Sequence, residues 1–263
     1  MKKWKSAGLA AVLALSLCMG TIDAADEPAQ LDGDVVSYDM TTGIVTAEGN
    51  VLMQRGATKV AGGKAVYNVN TKQGQVLAGD TGRVIVVRED FRMTAAQIDV
   101  PDERNIIASG GVVIDRSTTG LHMTASRVTA IDTNQFIAEG DVHATEADKS
   151  FAGAKAEYRD KEGYVLAESG GTITTADGTF TADHIEGWFK EDHFKGIGNV
   201  HVISPPRDFE GGGDVADYYG KGDKPMAVLD GNAWAVQANN TVNSGHITVY
   251  LAESGKAQAA PAQ

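Results

Sequence analysis

Cysteine is all but missing. The 263 residues contain one, Cys18, close to the start. A chain that loses that segment has no disulfide, no thiolate nucleophile and no cysteine metal ligand. Aromatic residues make up only 6%, too few for platforms of stacked rings that read sugars or bases. Positive charge is also scarce: 23 Lys and Arg stand against 35 Asp and Glu, a formal net charge of −12. That balance argues against nucleic acid and against electrostatic docking on an anionic membrane. No apolar run approaches the roughly 20 residues that a spanning helix needs.

The apolar run that does occur, Ala7 to Met19, follows Lys2, Lys3 and Lys5 and precedes Ala24 and Ala25. A charged start, a short apolar centre and a small-residue exit read as a secretory signal peptide over 1–25. Leu17 before Cys18 is too large for a lipidation site. Removing 1–25 takes away three lysines and Asp23, leaving 20 basic and 34 acidic residues, or −14. An anionic ligand must then be held chiefly by its apolar part.

What the chain has in quantity is glycine, 31 residues, and its placement is periodic. Gly49, Gly79, Gly110, Gly140, Gly170, Gly198 and Gly231 are each followed by Asn, Asp or Gly, at steps of 30, 31, 30, 30, 28 and 33 residues. Between them apolar and polar residues alternate, as in Phe136, Ala138, Val142 and Ala144 around Gly140-Asp141. Period-two alternation broken by turn residues marks short, half-buried strands. A Gly followed by Asn, Asp or Gly tolerates positive φ and suits a β-bulge or corner that bends a strand without ending it. Units of about 30 residues cannot bury their own apolar faces, so they must stack.

The expected fold is all-β, a repeat-built stack of about 14 to 18 short antiparallel strands over 26–251 in about seven repeats. It closes either as a β-helix or as two facing antiparallel sheets, a β-taco or open jelly roll. Pro205-Pro206, Gly211-Gly212-Gly213 and the stretch 220–225 read as loops flanking a short segment Val215–Tyr219. Residues 252–263 read as a disordered tail.

Catalytic signatures are missing: no nucleophile elbow, no zinc-protease helix and no P-loop. Gly62-Gly63-Lys64 is followed by Ala65, which has no hydroxyl for magnesium. Gly196-Ile197-Gly198 lacks a third glycine. Gly211-Gly212-Gly213-Asp214 has the wrong spacing for a calcium repeat. His184, His193 and His201 fall within one repeat, and with Asp183 or Asp192 they form the one arrangement worth testing for zinc; solvated strand-face histidines are the commoner outcome. We expect no enzyme activity, no cofactor and no metal.

Ala47-Glu48-Gly49-Asn50-Val51, Ala138-Glu139-Gly140-Asp141-Val142, Thr181 to Ile185 and Gly198-Asn199-Val200 repeat one theme. The closing segments Leu229 to Trp234 and Gly245 to Tyr250 complete it. In this order, over 31–251 and behind a signal peptide, they resemble the OstA-like family, although the chain is longer than a typical member. The resemblance implies a twisted β-jelly roll with an apolar interior, a periplasmic location and a role in carrying lipopolysaccharide between the inner and outer membranes. It implies partners that join end to end: homologous envelope transport proteins, or further copies in a head-to-tail oligomer. Independently, two facing apolar sheets form a slot for acyl chains. Its candidate lining is Val51, Met53, Val112, Ile114, Val142, Val200 and Val202, with a closed core as the alternative for each. The outer strands Val35–Met40 and His246–Leu251 carry no internal proline, so Val35, Val36, Thr248 and Val249 mark edges able to add a strand. Two other readings stand beside this one: a β-solenoid with a structural or adhesive role, and a polysaccharide-acting enzyme on a β-helix.

Overall fold

The computed structural model describes residues 30–261, apart from 56, 80–81, 103, 132–133, 160, 177, 189–190, 192, 220–225, 239 and 252–256. The expected signal peptide, the loop at 220–225, Asp80 and Asp192 lie outside the described residues. The chain forms two compact units, one ending at Val142 and one beginning at His143.

In the first unit β1 (Gln30–Asp32), β2 (Val35–Asp39), β3 (Ile44–Arg55) and β4 (Thr58–Asn68) are followed by β5 (Gln73–Leu77), β6 (Val84–Arg88), β7 (Phe91–Ala95) and β8 (Gln97–Val100). Then come β9 (Asn105–Arg116), β10 (Leu121–Ile131) and the greater part of β11 (Gln135–Glu146). The second unit contains β12 (Lys149–Arg159), β13 (Tyr164–Ala167), β14 (Gly171–Thr175), β15 (Gly178–Ala182), β16 (His184–Trp188) and β17 (His193–Ser204). It ends with β18 (Phe209–Tyr219), β19 (Met226–Gln237), β20 (Asn240–Leu251) and β21 (Ala257–Pro261). Among the described residues every pairing given by the ladders is antiparallel, and no α-helix occurs.

These elements are bent strands. The long strand β4 pairs through its end with β5 and through its start with β6. In the same way β9 pairs with β8 and β7, β12 with β13 and β14, and β17 with β16 and β15. Joining β1 to β2, β5 to β6, β7 to β8, β13 to β14 and β15 to β16 leaves, among the described residues, 15 bent strands and the short straight β21. Each unit is therefore a folded antiparallel sheet with two arms. In the first unit the first arm holds β2, β5, β8 and the start of β9; the second holds β1, β6, β7 and the end of β9. In the second unit the first arm holds β13, β16 and the start of β17; the second holds β14, β15 and the end of β17.

The corners explain the glycine period. Gly49 (φ 71°) and Asn50 (46°) lie together opposite Gly63, because Glu48 pairs with Lys64 and Val51 with Gly62. Gly110-Gly111 oppose Ser126, Gly198-Asn199 oppose Asp214 and Gly231-Asn232 oppose Gly245 in the same way. Two consecutive left-handed residues against one extended residue make a β-bulge that turns the strand and keeps the ladder on both sides. Gly140 (76°) and Asp141 (52°) have the same conformation. Two positions differ. Gly170 (75°) sits in a gap between β13 and β14, so here the strand ends at the corner. Gly79 is not left-handed at all; a Cβ on it would sit 2.8 Å from Cα of Gly63, so glycine is needed there for close backbone approach.

A second element of the corner was not read from the sequence. The Asn of a bulge donates its side-chain amide to an Asp on the preceding strand: Asn50 to Asp34 at 3.0 Å, Asn199 to Asp183 at 2.7 Å and Asn232 to Asp214 at 2.9 Å. Small residues line the inside of the bend, including Ala47, Ala108, Ala138, Ala182 and Ala233, all buried. Side chains converge there, and alanine fits where a larger residue would clash.

The glycine run expected to be a loop is instead inside β18, which continues from Phe209 to Tyr219. Pro205–Arg207 form one 3₁₀ turn, closed by Asp208 in the left-handed conformation. Gly211 admits the Phe209 ring and Leu229, and Gly212 lies against the carbonyl of Val200. Part of the segment expected to be a disordered tail, Ala257–Pro261, forms β21 on the outer side of β20.

Candidate functional site

The interior between the two arms is built from the inward alternate residues. Of the candidate lining, Val51, Val112, Ile114, Val142 and Val200 are buried, at 4% exposure or less. Met53 and Val202 are half-buried. These side chains stand two and four places beyond their bulges on the second arm of their unit, with Val86, Met93, Ala125 and Met123 as buried neighbours in the first unit. The first arm supplies Ala47, Val76, Ile98, Ala108 and Phe136.

The arms meet by placing large residues against glycine. A Cβ on Gly62 would lie 2.7 Å from Cγ1 of Val76, on the opposite arm. In the second unit a Cβ on Gly196 would lie 2.5 Å from Cζ of Phe180, and one on Gly211 would lie 3.3 Å from Cδ1 of Leu229. Phe180 belongs to the second arm and Gly196 to the first. These three contacts set how closely the arms approach. The sequence signal for them was an inward-phase glycine within an alternating strand, which reads equally well as a turn.

The histidines that could have converged on a metal do not. His184 Nε2 lies 2.8 Å from Glu186, His193 Nε2 lies 2.8 Å from Asp217, and His201 Nε2 lies 2.8 Å from Glu210. Asp183 is committed to Asn199. Among the described residues no three His, Cys, Asp or Glu side chains gather as a metal set.

The outer face of the second unit's first arm carries a row of rings, despite the low aromatic content. The Arg159 guanidinium lies 5.3 Å from the centre of the Tyr164 ring. Tyr164 meets Trp188 at 5.4 Å, and Trp188, His193 and Tyr219 then stack at 4.7 and 4.6 Å with nearly parallel planes. These residues are direct cross-strand partners. Each stacked ring has its face against the next, so the row stabilises the sheet edge-on and is not a sugar platform. Burial, with the Glu186 carboxylate beside it, pushes the Tyr164 phenol up, and burial with Asp217 does the same to Tyr219. The hydrogen bond to Glu157 raises Arg159.

The two candidate edges differ. Val35 and Val36 on β2 are 63% and 49% exposed, and β2 pairs only with β3 among the described residues. Thr248 and Val249 are not at a free edge: they pair with Ala260 and Ala259 of β21. The open side of β20 is its first half, Asn240–Ser244, where the pairing found is with β19.

At the hairpin ends of the first unit's second arm lies a cavity of about 490 Å³. Its walls include Phe91, Arg92, Asp115, Arg116, Leu121 and His122. Asp90 accepts the Thr118 hydroxyl and lies 3.9 Å from Arg116 Nε. The Thr118 hydrogen bond first, and Arg116 next, hold its carboxyl below the usual aspartate range.

Neither a family model nor a curated protein matches the chain. Among solved structures it is similar to the crystal structure of LptH, the LptA-homologous periplasmic component of the lipopolysaccharide transport device of Pseudomonas aeruginosa. The match covers 53% of this chain and 81% of that one, at 15% identity and a TM-score of 0.28. A likeness at that level carries no argument about activity.

Proposed function

We propose that the protein is a periplasmic carrier of lipopolysaccharide, holding the lipid A acyl chains between the two arms of its bent sheet and passing the lipid between the inner and outer membranes. The observation that carries this reading is the bent sheet itself. Within each unit the inward rows are apolar on both arms away from the hairpin ends, and the corner bulges mark where the arms can part without breaking their ladders. Each acyl methylene moved out of water into such an interior gains about 0.8 kcal/mol. The OstA-like resemblance of the corner segments supports the same reading. The lining is shielded from water, so loading requires the arms to separate at the large-to-glycine contacts. Transfer between membranes would use homologous envelope proteins, or further copies, added at β2 and at the β20–β21 edge.

A photo-crosslinking residue at Val142, inward and fully buried, should capture lipid A. The same residue at Glu139, on the other face of β11, should capture much less. Equal capture at both, or none at either, overturns the carrier. The burial of Val51, Val112, Ile114, Val142 and Val200 favours a second reading, a closed envelope protein with a structural or adhesive role and no lipid. Mass spectrometry of lipid retained by the purified protein separates the two.

A further inference from the structure

In a chain this acidic, the inward rim of one arm is unexpectedly cationic. On β6 the buried residues are Val84 and Val86, and the next residue in that phase is Arg88. On β9 the buried residues are Val112 and Ile114, and the next is Arg116. Between these strands, β7 places Phe91 at the same level: Arg88 pairs with Phe91, Phe91 with Arg116, and Arg116 with Leu121. Arg88 and Arg116 thus flank a buried phenyl ring, two strand spacings or roughly 10 Å apart along the backbone. Arg92 follows Phe91 directly and is exposed, and Lys59 joins its outer row through Val87. Immediately below lie Val86, Met93, Ile114 and Met123, all buried. The inward rim of the opposite arm, Val45, Tyr67, Val100 and Ile106, carries no cation.

Nearby carboxylates balance Arg116 in part, through Asp90, and Asp90 and Asp115 each have another partner. Asp90 is held by Thr118 and by the long contact to Arg116, and Asp115 lies 2.7 Å from His122 Nδ1. Glu89 is exposed in the turn. Among the described residues no ion pair or hydrogen bond engages the guanidinium of Arg88 or Arg92. Planar guanidiniums at the edge of an apolar interior match one ligand chemistry, a phosphate carried on acyl chains. The fork of N–H groups takes the phosphate oxygens in pairs, and the adjacent low-dielectric interior takes the chains.

We propose that Arg88 and Arg116 bind the phosphorylated head of an acylated lipid whose chains pass between the arms below Phe91. This rests on the carrier reading above and assigns it a polarity: the head sits at the hairpin ends of the second arm in the unit ending at Val142.

The test measures binding of the full chain to monomeric lysophosphatidic acid and to the monoacylglycerol of the same chain length. Wild type should bind the phosphorylated lipid more tightly. Hydrogen bonds to charged groups contribute on the order of 1.5 to 3 kcal/mol, so Arg88→Gln should weaken lysophosphatidic acid about tenfold, and Arg92→Gln, on the outer face, should leave it unchanged. Monoacylglycerol binding should stay unchanged. Arg116→Gln should add to the loss, and the far-ultraviolet circular dichroism of the Arg88→Gln protein should match wild type. If both lipids bind equally and the variants change neither, the rim assignment falls and the carrier stands. Loss of both lipids in the variants, as a structural defect would give, also overturns the rim. If neither lipid binds wild type, the carrier falls with it. Inorganic phosphate binding as tightly as lysophosphatidic acid, or arginine dependence seen only with anionic phospholipid vesicles, overturns the lipid-head assignment.

Discussion

The Phe180 ring lies directly against Gly196 on the facing arm, so close that a Cβ there would stand 2.5 Å from its Cζ. Both residues are inward, and Gly196 is buried. This contact governs the spacing of the arms in the second unit, and with it the room for any guest.

Gly196→Ala should therefore destabilise the protein by about 1 to 3 kcal/mol through overpacking. Phe180→Leu in the same chain should recover part of that loss, because the two changes act on one contact. Urea unfolding of the two single variants and the double variant gives the coupling. Strict additivity would show that the arms do not meet at this point.

Corner glycines differ in what they must do, and alanine substitution separates them. Gly140 has φ 76°, and a Cβ on it would lie 2.5 Å from Oγ of Ser126. Gly140→Ala should cost about 1 kcal/mol or more. Gly245 faces open space and is not left-handed, so Gly245→Ala should be neutral or slightly stabilising. Thermal melts of the two variants check the contrast, and equal melting temperatures would count against the bulge account.

The side-chain staple at a corner should be separable from the bend. Asp183→Ala leaves Gly198-Asn199 in place and removes the acceptor of the 2.7 Å bond from Asn199. Because both residues are exposed, the expected loss is about 0.5 to 1 kcal/mol, with the strand content unchanged. Chemical denaturation read by circular dichroism reports both quantities.

Acid should weaken the hairpin turn after β2. Asp39 accepts the Thr42 hydroxyl at 2.8 Å and the Thr41 N–H at 2.8 Å. The Thr42 side chain first, then the Thr41 backbone, hold its carboxyl below the ordinary aspartate value of 3.8. A depressed carboxylate stabilises fully above the ordinary value, and that contribution is lost as pH falls through the lower folded value. Asp39→Asn should flatten the stability curve below about pH 4 and leave neutral behaviour little changed. A wild-type slope persisting in the variant would assign the acid limb elsewhere.

Removing residues 252–263 should expose the backbone of β20 from Ile247 to Leu251, which β21 now pairs. Amide exchange there should accelerate, and self-association should increase as an unpaired edge becomes available. Exchange mass spectrometry and light scattering measure the two effects. Unchanged exchange would mean that β21 does not protect the edge in solution.

The strand–corner rhythm was legible in the sequence because its causes are local. Alternation such as Phe136, Ala138, Val142 and Ala144 decides which face of a strand is buried. A Gly-Asn or Gly-Asp pair can adopt two successive positive φ values wherever it occurs. From these alone follow the all-β class, the bends and the inward phase of Val51 and Val142. Gly79 and the Gly211-Gly212-Gly213 run were misread for one shared reason. Glycine chosen for close approach has the same local signature as glycine chosen for a turn. Only the cross-strand register, which places Gly63 beside Gly79 and Leu229 against Gly211, distinguishes them. The separate carboxylate partners of His184, His193 and His201, and the strand β21 beside Thr248 and Val249, also depend on pairings between distant segments. So does the rim of Arg88 and Arg116, which lie 28 positions apart in the sequence and become near neighbours when Phe91 pairs with both. Local chemistry determines how each strand bends and which side it buries; what stands across from each residue is decided when the bent strands come into register.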